Sequence, residues 1–172
     1  YHMGITAENV AEKFQITRED QDKFALNSQE KALSAQKKNK FKEEIMNFKI
    51  KSKNTELDFN KDEHPRDGIS IETLKKLKPV FKKNGSVTAG NSSGINDGAA
   101  AVTMMSVDEA EKRGIQKLVT IKSWASCGVE PSLMGTGPIP SSKKALDLAG
   151  WSMKDVDLFE INEAFASQSI AV

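Results

Sequence analysis

Apolar and polar positions follow two different periods along the chain, and the switches between them mark out its elements. Phe24, Ala25, Ser28, Ala32 and Ala35 recur at intervals of three and four, the spacing of one helical face. Thr17-Arg-Glu-Asp20 stands just before that run, with a hydroxyl at the N-cap and a carboxylate three residues on, facing the free amides. Together these predict an amphipathic helix over residues 18 to about 38. From Phe41 to Ser52 the pattern changes: Ile45, Phe48 and Ile50 sit in a lysine-marked stretch that predicts an exposed antiparallel strand. Residues 54–70, with Asn54, Asn60 and His64-Pro-Arg-Asp-Gly68, are polar and turn-forming and predict a surface excursion.

Beyond the proline-interrupted segment Leu74 to Phe81, small residues dominate Thr88 to Gly98 before an apolar run, Ala99 to Met105. This shift places a boundary near Gly94, between a lysine-rich excursion and a compact core. Ser106-Val-Asp-Glu109 is a second capping box, with Gly114 as the stop of a short helix. Leu118 to Val129 alternates like a strand, Ser141 to Ala149 reads as a helix closed by Gly150, and Ser152 to Asp155 caps a turn before a strand at Leu158 to Ile161. Strands alternating with helices from residue 98 onward predict an α/β fold, and no repeat of fixed period runs through it.

Composition narrows the functional classes. The 172 residues carry 25 basic and 24 acidic side chains, a net charge of +1, so overall charge gives no reason to expect nucleic acid or a membrane as partner. One cysteine, Cys127, excludes an intrachain disulfide and leans towards a reducing compartment, hence a cytoplasmic location. The two histidines are too few and too scattered for a metal site. No apolar run approaches the roughly 18 to 20 residues that span a bilayer, and no signal-peptide core is present. The chain opens on Tyr1 and ends within a predicted helix, as expected of an internal fragment of a larger protein.

Two segments carry candidate chemistry. Asn162 lies where the strand-like residues Leu158 to Ile161 give way to helix, and a neutral amide there can donate to an oxygen that gains negative charge. As a lone asparagine it would more often be a helix N-cap. The block from Thr88 to Ala101 is built of small and hydroxylic residues that admit close approach of a ligand or a neighbouring backbone. It lacks the Gly-x-x-x-x-Gly-Lys pattern of a phosphate-cradling loop.

Asn162-Glu-Ala-Phe-Ala166 resembles a motif of the thiolases, and four further segments resemble the same family in the same order. Tyr1-His-Met-Gly-Ile-Thr-Ala-Glu-Asn-Val10 is similar to the start of its loop domain. Asp62-Glu-His-Pro-Arg-Asp-Gly68 with Leu77-Lys-Pro-Val-Phe81 is similar to the stretch that meets the nucleotide end of coenzyme A. The Thr88 to Ala101 block resembles the pantetheine loop, and Ser123 to Pro140 the opening of the second catalytic half. The resemblance implies part of a layered α-β-α-β-α fold with an inserted α+β loop domain: residues 1–93 as the loop domain, 94–117 as the end of the N-terminal half, 118–172 as the beginning of the C-terminal half.

It also implies roles. Asn162 would be catalytic; Arg66 and Phe81 would neighbour the adenine and phosphate end of the coenzyme; Ala89 and Ser93 would lie along its pantetheine arm. His2, Met3, Met134 and Phe165 would line the thioester pocket, although spacing alone reads Met3, Met134 and Phe165 as core. His2-Met-Gly4 resembles the short-chain, acetoacetyl-CoA branch. The implied reaction is acyl transfer, two acetyl-CoA exchanging with acetoacetyl-CoA and coenzyme A. Coenzyme A is then a substrate, with no metal or prosthetic group, in a homodimer or homotetramer. Cys127 does not match the family's nucleophile segment and reads as a buried structural thiol. The nucleophile would belong upstream, and the acid-base histidine and second cysteine downstream, so the chain alone is expected to be inactive. A non-catalytic acyl-CoA-binding module and one piece of a split enzyme are the alternatives. Lys75, Lys76, Lys78, Lys82 and Lys83 form a basic run that reads as a solvated face or as a guide for phosphates, and His64 as a surface residue.

Overall fold

The computed structural model describes residues 1–52 and 55–172, so the expected turn residue Asn54 lies outside the described residues. Helix α1, Met3–Lys13, is one that periodicity did not reveal, because its inward face is made of small and polar residues: Gly4, Thr6, Ala7, Glu8, Val10 and Ala11 are buried. His2 caps it, Nδ1 accepting from the Gly4 N–H at 3.0 Å. Helix α2, Arg18–Lys37, matches the expected bounds, and both halves of the Thr17–Asp20 capping box are formed. The Thr17 hydroxyl, and then its amide, hold the Asp20 carboxyl below the usual carboxylate range.

Strands β1, Phe48–Ser52, and β2, Thr55–Phe59, pair as an antiparallel hairpin. The strand expected from Phe41 begins only at Phe48, since the Ile45 amide folds back to the Phe41 carbonyl in a turn. β2 corrects the reading of residues 54–70 as excursion only. Its register sets Phe48 opposite Phe59 and Ile50 opposite Leu57 on one face, and Lys49 opposite Asp58 and Lys51 opposite Glu56 on the other. Helix α3, Ile71–Lys75, follows, capped by Ser70.

Helix α4, Val107–Lys112, starts at Ser106, whose Oγ accepts from the Glu109 N–H, while the Glu109 carboxylate accepts from Arg113 Nε. A 3-10 segment, Pro131–Thr136, leads into α5, Pro138–Ala149, which starts three residues before the expected Ser141 because proline is well accommodated in a first turn. Gly150 closes α5 with φ of 69°, a left-handed conformation open to glycine. A single 3-10 turn, Met153–Asp155, precedes the last helix, α6, Ala166–Ala171.

Two expected strands are corrected. Residues 118–129 and 158–161 form no ladder among the described residues. A strand is stabilised by the hydrogen bonds of a neighbour, and the only sheet among the described residues is the β1–β2 hairpin. The alternation itself persists: Ser123, Ala125, Cys127 and Val129 are half-buried, whereas Trp124, Ser126 and Gly128 between them are exposed. Cys127 is accordingly a half-buried free thiol, not a fully buried one.

The core is small. It gathers Ala7, Val10 and Ala11 of α1 with Ile16, Leu74, Val87 and Ala166. α1 packs against both the 131–136 turn and α6, and α2 against α3 and α6. Asn9 Nδ2 donates to the Ser132 carbonyl and Ser167 Oγ to the Ala7 carbonyl, each at 3.0 Å, which ties the 131–136 turn and α6 to one helix.

Candidate functional site

The start of α1, the loop from Ser86 to Ser93 and the segment from Asn162 to Phe165 converge, and each is held by identifiable groups. Ser86 and Val87 donate their N–H groups to the buried Glu8 carboxylate at 2.9 Å, and Ser86 Oγ donates to it at 3.1 Å. These bonds fix the beginning of the loop to α1. Its middle is fixed to α2: Asn91 Nδ2 donates to Asp22 Oδ1 at 3.0 Å, and the Thr88 N–H donates back to Asn91 Oδ1 at 2.8 Å.

The far end of the loop meets the candidate catalytic segment backbone to backbone. Ser92 and Phe165 form an antiparallel bridge. The Ser93 N–H donates to the Ala164 carbonyl at 2.9 Å and the Ala166 N–H to the Asn91 carbonyl at 3.0 Å. Glu163 is anchored separately, its Oε2 accepting from Ser28 Oγ of α2 at 2.5 Å. Two sequence-distant blocks, one bearing Ala89 and Ser93 and the other Asn162 and Phe165, thus form adjoining edges of one surface.

Asn162 is exposed, and it is not an N-cap: α6 begins at Ala166, with Phe165 in extended conformation before it. Its exposed amide makes no hydrogen bond among the described residues. That geometry removes the structural alternative raised by the sequence.

Aromatic contacts connect His2, Phe81 and Phe165, three of the candidate residues. The His2 and Phe81 rings lie 4.9 Å apart at 32°, and Phe81 meets Phe165 edge-on at 6.3 Å and 82°. Met3 and Met134 are exposed instead of packed in a core; Met134 lies on the 131–136 turn that packs against α1 and α6. Ala89 and Ser93 are exposed. Arg66 is exposed as well and joins the assembly through its main chain, the N–H donating to Gln29 Oε1 at 3.0 Å. Gln29 and His64 line a cleft of about 170 Å³ together with Phe24, Ser93 and Glu163.

Sequence reasoning missed Glu8, Asp22, Ser28, Asn91 and Glu163 as organisers of this surface. A signal existed for Asp22: it falls three residues before Ala25 on the inward stripe of α2, where a charge needs a partner. None existed for Glu8, whose partners are main-chain amides. Among the described residues no group of three or more metal-binding side chains gathers, and no helix is long and apolar enough to cross a membrane.

Comparison with known proteins bears on the family and the fold. Residues 1–108 match the thiolase N-terminal domain and residues 115–172 the thiolase C-terminal domain. The whole chain is 56% identical to an acetyl-CoA acetyltransferase of Rhizobium meliloti and 55% identical to that of Shinella zoogloeoides, covering 44% of each. Among solved structures, the Bacillus anthracis acetyl-CoA acetyltransferase superposes with a TM-score of 0.93 at 49% identity, over 98% of this chain and 43% of that one. Human mitochondrial 3-ketoacyl-CoA thiolase superposes with a TM-score of 0.92 at 46% identity, over the same shares. The chain therefore spans less than half the length of these relatives and reproduces that part of their fold. With both domains of the family matched in order along it, the chain belongs to the thiolase family.

Proposed function

We propose that the protein carrying this chain is an acetyl-CoA C-acetyltransferase, interconverting two acetyl-CoA with acetoacetyl-CoA and coenzyme A. The observation that carries the reading is the adjacency of Asn162 to the Ser93 loop through the Ser92–Phe165 bridge, which sets a free amide donor beside a hydroxyl-bearing wall suited to a pantetheine arm. In this reading Ser93 and Ala89 bound the arm, His2, Met3, Met134 and Phe165 surround the thioester, and Arg66 and Phe81 attend the adenine and phosphate end, the Phe81 ring bridging to the thioester side through His2 and Phe165.

The chemistry of the site follows from charge. When a thioester carbonyl is attacked, or its α-proton removed, negative charge gathers on the oxygen. An amide N–H of Asn162, or a water that it fixes, stabilises that oxygen without itself titrating. A neutral donor serves both directions of the reaction.

The nucleophile is a group other than Cys127, which sits half-buried in an extended segment away from the Asn162 motif in sequence. The 172-residue chain by itself is accordingly expected to be inactive, and coenzyme A is a substrate of the intact protein and not a resident cofactor. The similarity of 49% to an acetyl-CoA acetyltransferase structure and 46% to a 3-ketoacyl-CoA thiolase structure does not separate the branches, and the short-chain assignment rests on His2-Met3-Gly4. A homodimer or homotetramer in the cytoplasm completes the reading; the single free cysteine suits a reducing compartment.

The test is coenzyme-A-dependent loss of acetoacetyl-CoA. Turnover by the intact protein and none by the isolated chain is expected. Turnover by the isolated chain would show that the nucleophile lies within it, and better turnover of long 3-ketoacyl thioesters by the intact protein would overturn the short-chain assignment.

A further inference from the structure

Asn91 is buried, 3% exposed, and every polar atom of its side chain is used. Oδ1 accepts from the Thr88 N–H at 2.8 Å, which closes the loop on itself. Nδ2 donates to Asp22 Oδ1 at 3.0 Å and to the Ser86 carbonyl at 3.1 Å. Its main-chain carbonyl accepts from the Ala166 N–H at 3.0 Å, across the gap to the Asn162 segment. Asp22, fully buried, completes the arrangement: Oδ2 accepts from Arg18 Nε at 2.8 Å, and the same guanidinium donates to the Leu74 carbonyl at 2.7 Å and the Leu77 carbonyl at 3.1 Å.

We propose that Asn91 is a positioning residue for the reaction: held by Asp22, it sets the spacing between the ligand-contacting loop at Ala89 and Ser93 and the amide of Asn162. This rests on the thiolase reading above. Among the described residues, Asn91 alone is bonded through its side chain to α2 and to its own loop and through its carbonyl to the first turn of α6, so a shift in its plane moves both edges of the site. The amide is suited to that place because it must offer two donors to two acceptors, a carboxylate and a carbonyl, while presenting an acceptor to an N–H. A carboxylate there would face Asp22 as a like charge, and a hydroxyl could not reach all three partners. Asp22 acts at one remove, since its site-facing contact is Asn91 and its charge is balanced by Arg18.

The decisive variants in the intact protein are Asn91→Asp, Asn91→Ser and the double variant Asn91→Asp with Asp22→Asn, which exchanges donor and acceptor while keeping the charge count. Thiolysis by Asn91→Asp is expected to fall about a hundredfold in kcat/KM, with KM for coenzyme A raised and kcat lowered, the order expected from a misplacement near 1 Å. Asn91→Ser moves both constants the same way by less. The double variant restores the bond between positions 22 and 91 but leaves the Ser86 carbonyl facing a carboxylate, so it recovers about tenfold of the loss and not all of it. Hydrogen exchange of the Ser93 and Ala166 amides is read alongside and is expected to quicken in both single variants and slow again in the double one. That measurement needs no turnover, so an intact protein without thiolase activity would defeat the functional reading while exchange still decided the role of Asn91. Single variants with kcat and KM within about twofold of the parent, unaltered exchange at both amides, or a loss that the double variant leaves unrepaired, would each overturn the proposal.

Discussion

Gly4 lies against the face of Phe81 so closely that a Cβ at that position would overlap the ring carbons. The absence of a side chain on the first turn of α1 is what lets Phe81 sit between His2 and Phe165. Gly4→Ala sets two effects against each other. Alanine favours a helix over glycine by up to about 1 kcal/mol, but overpacking costs about 1–3 kcal/mol, so destabilisation wins and Phe81 is displaced. Thermal denaturation should show a lowered midpoint for Gly4→Ala and recovery when Phe81→Leu is added, together with weaker coenzyme A binding in the single variant.

Asn162→Ala should separate catalysis from stability. The side chain is exposed and outside the α6 cap, so its loss leaves the melting temperature unchanged. Removal of an oxyanion donor lowers kcat by about 10²–10³. Steady-state thiolysis by the intact protein checks it; a variant that melts early with kcat intact would return Asn162 to a structural role.

Glu8→Ala strips the Ser86 and Val87 amides of their acceptor inside the fold. Each buried amide left without a partner costs about 1–3 kcal/mol, so a loss of at least about 2 kcal/mol in denaturant unfolding is expected. Glu8→Gln, which keeps an acceptor oxygen, should lose less.

Acid should loosen the helix starts selectively. Asp20 is held below the usual carboxylate range by the Thr17 hydroxyl and amide, and Asp155 by the Ser152 amide and hydroxyl. A folded value below the unfolded one stabilises in full above the unfolded value, and the benefit is lost as pH falls through the folded value. Helicity at the start of α2 therefore holds through neutral pH and declines below the usual carboxylate range. Asp20→Asn removes the Asp20 share of that dependence and leaves that of Glu19, held low by its bond with Lys23, which amide exchange at Arg18 to Gln21 can follow.

The isolated chain should self-associate. Ile95, Val102, Leu118, Val119, Trp124 and Leu158 are all at least 75% exposed, most of them in backbone that carries strand-like side-chain patterns without a ladder. Sedimentation and dye binding should find more association and more exposed apolar surface in the chain than in the intact protein.

Local signals were legible and non-local ones were not. Thr17 and Asp20 announced α2 because a capping box is complete within four residues, and Gly150 announced the end of α5 through a backbone conformation of its own. The hairpin was half-read: Phe48 and Ile50 alternate visibly, but Thr55–Phe59 is hidden among turn-forming neighbours until its register with β1 is known. Leu118 to Val129 has the right alternation and no ladder, since a sequence states which faces a strand would present but not what lies beside it. In the candidate site, Asn162 and Ser93 were singled out from short motifs. Their support by Glu8, Asp22 and Ser28 depends on contacts that no window of sequence contains.

Those contacts also order events in time. Asp22 reaches Asn91 across 69 positions, Ser28 reaches Glu163 across 135, and Ser167 reaches Ala7 across 160. Loop closure must be complete before such pairs return any energy, whereas α1 and α2 form from neighbours alone. The two helices are thus expected early and the Ser92–Phe165 junction late, so an intact junction reports that the chain has finished folding.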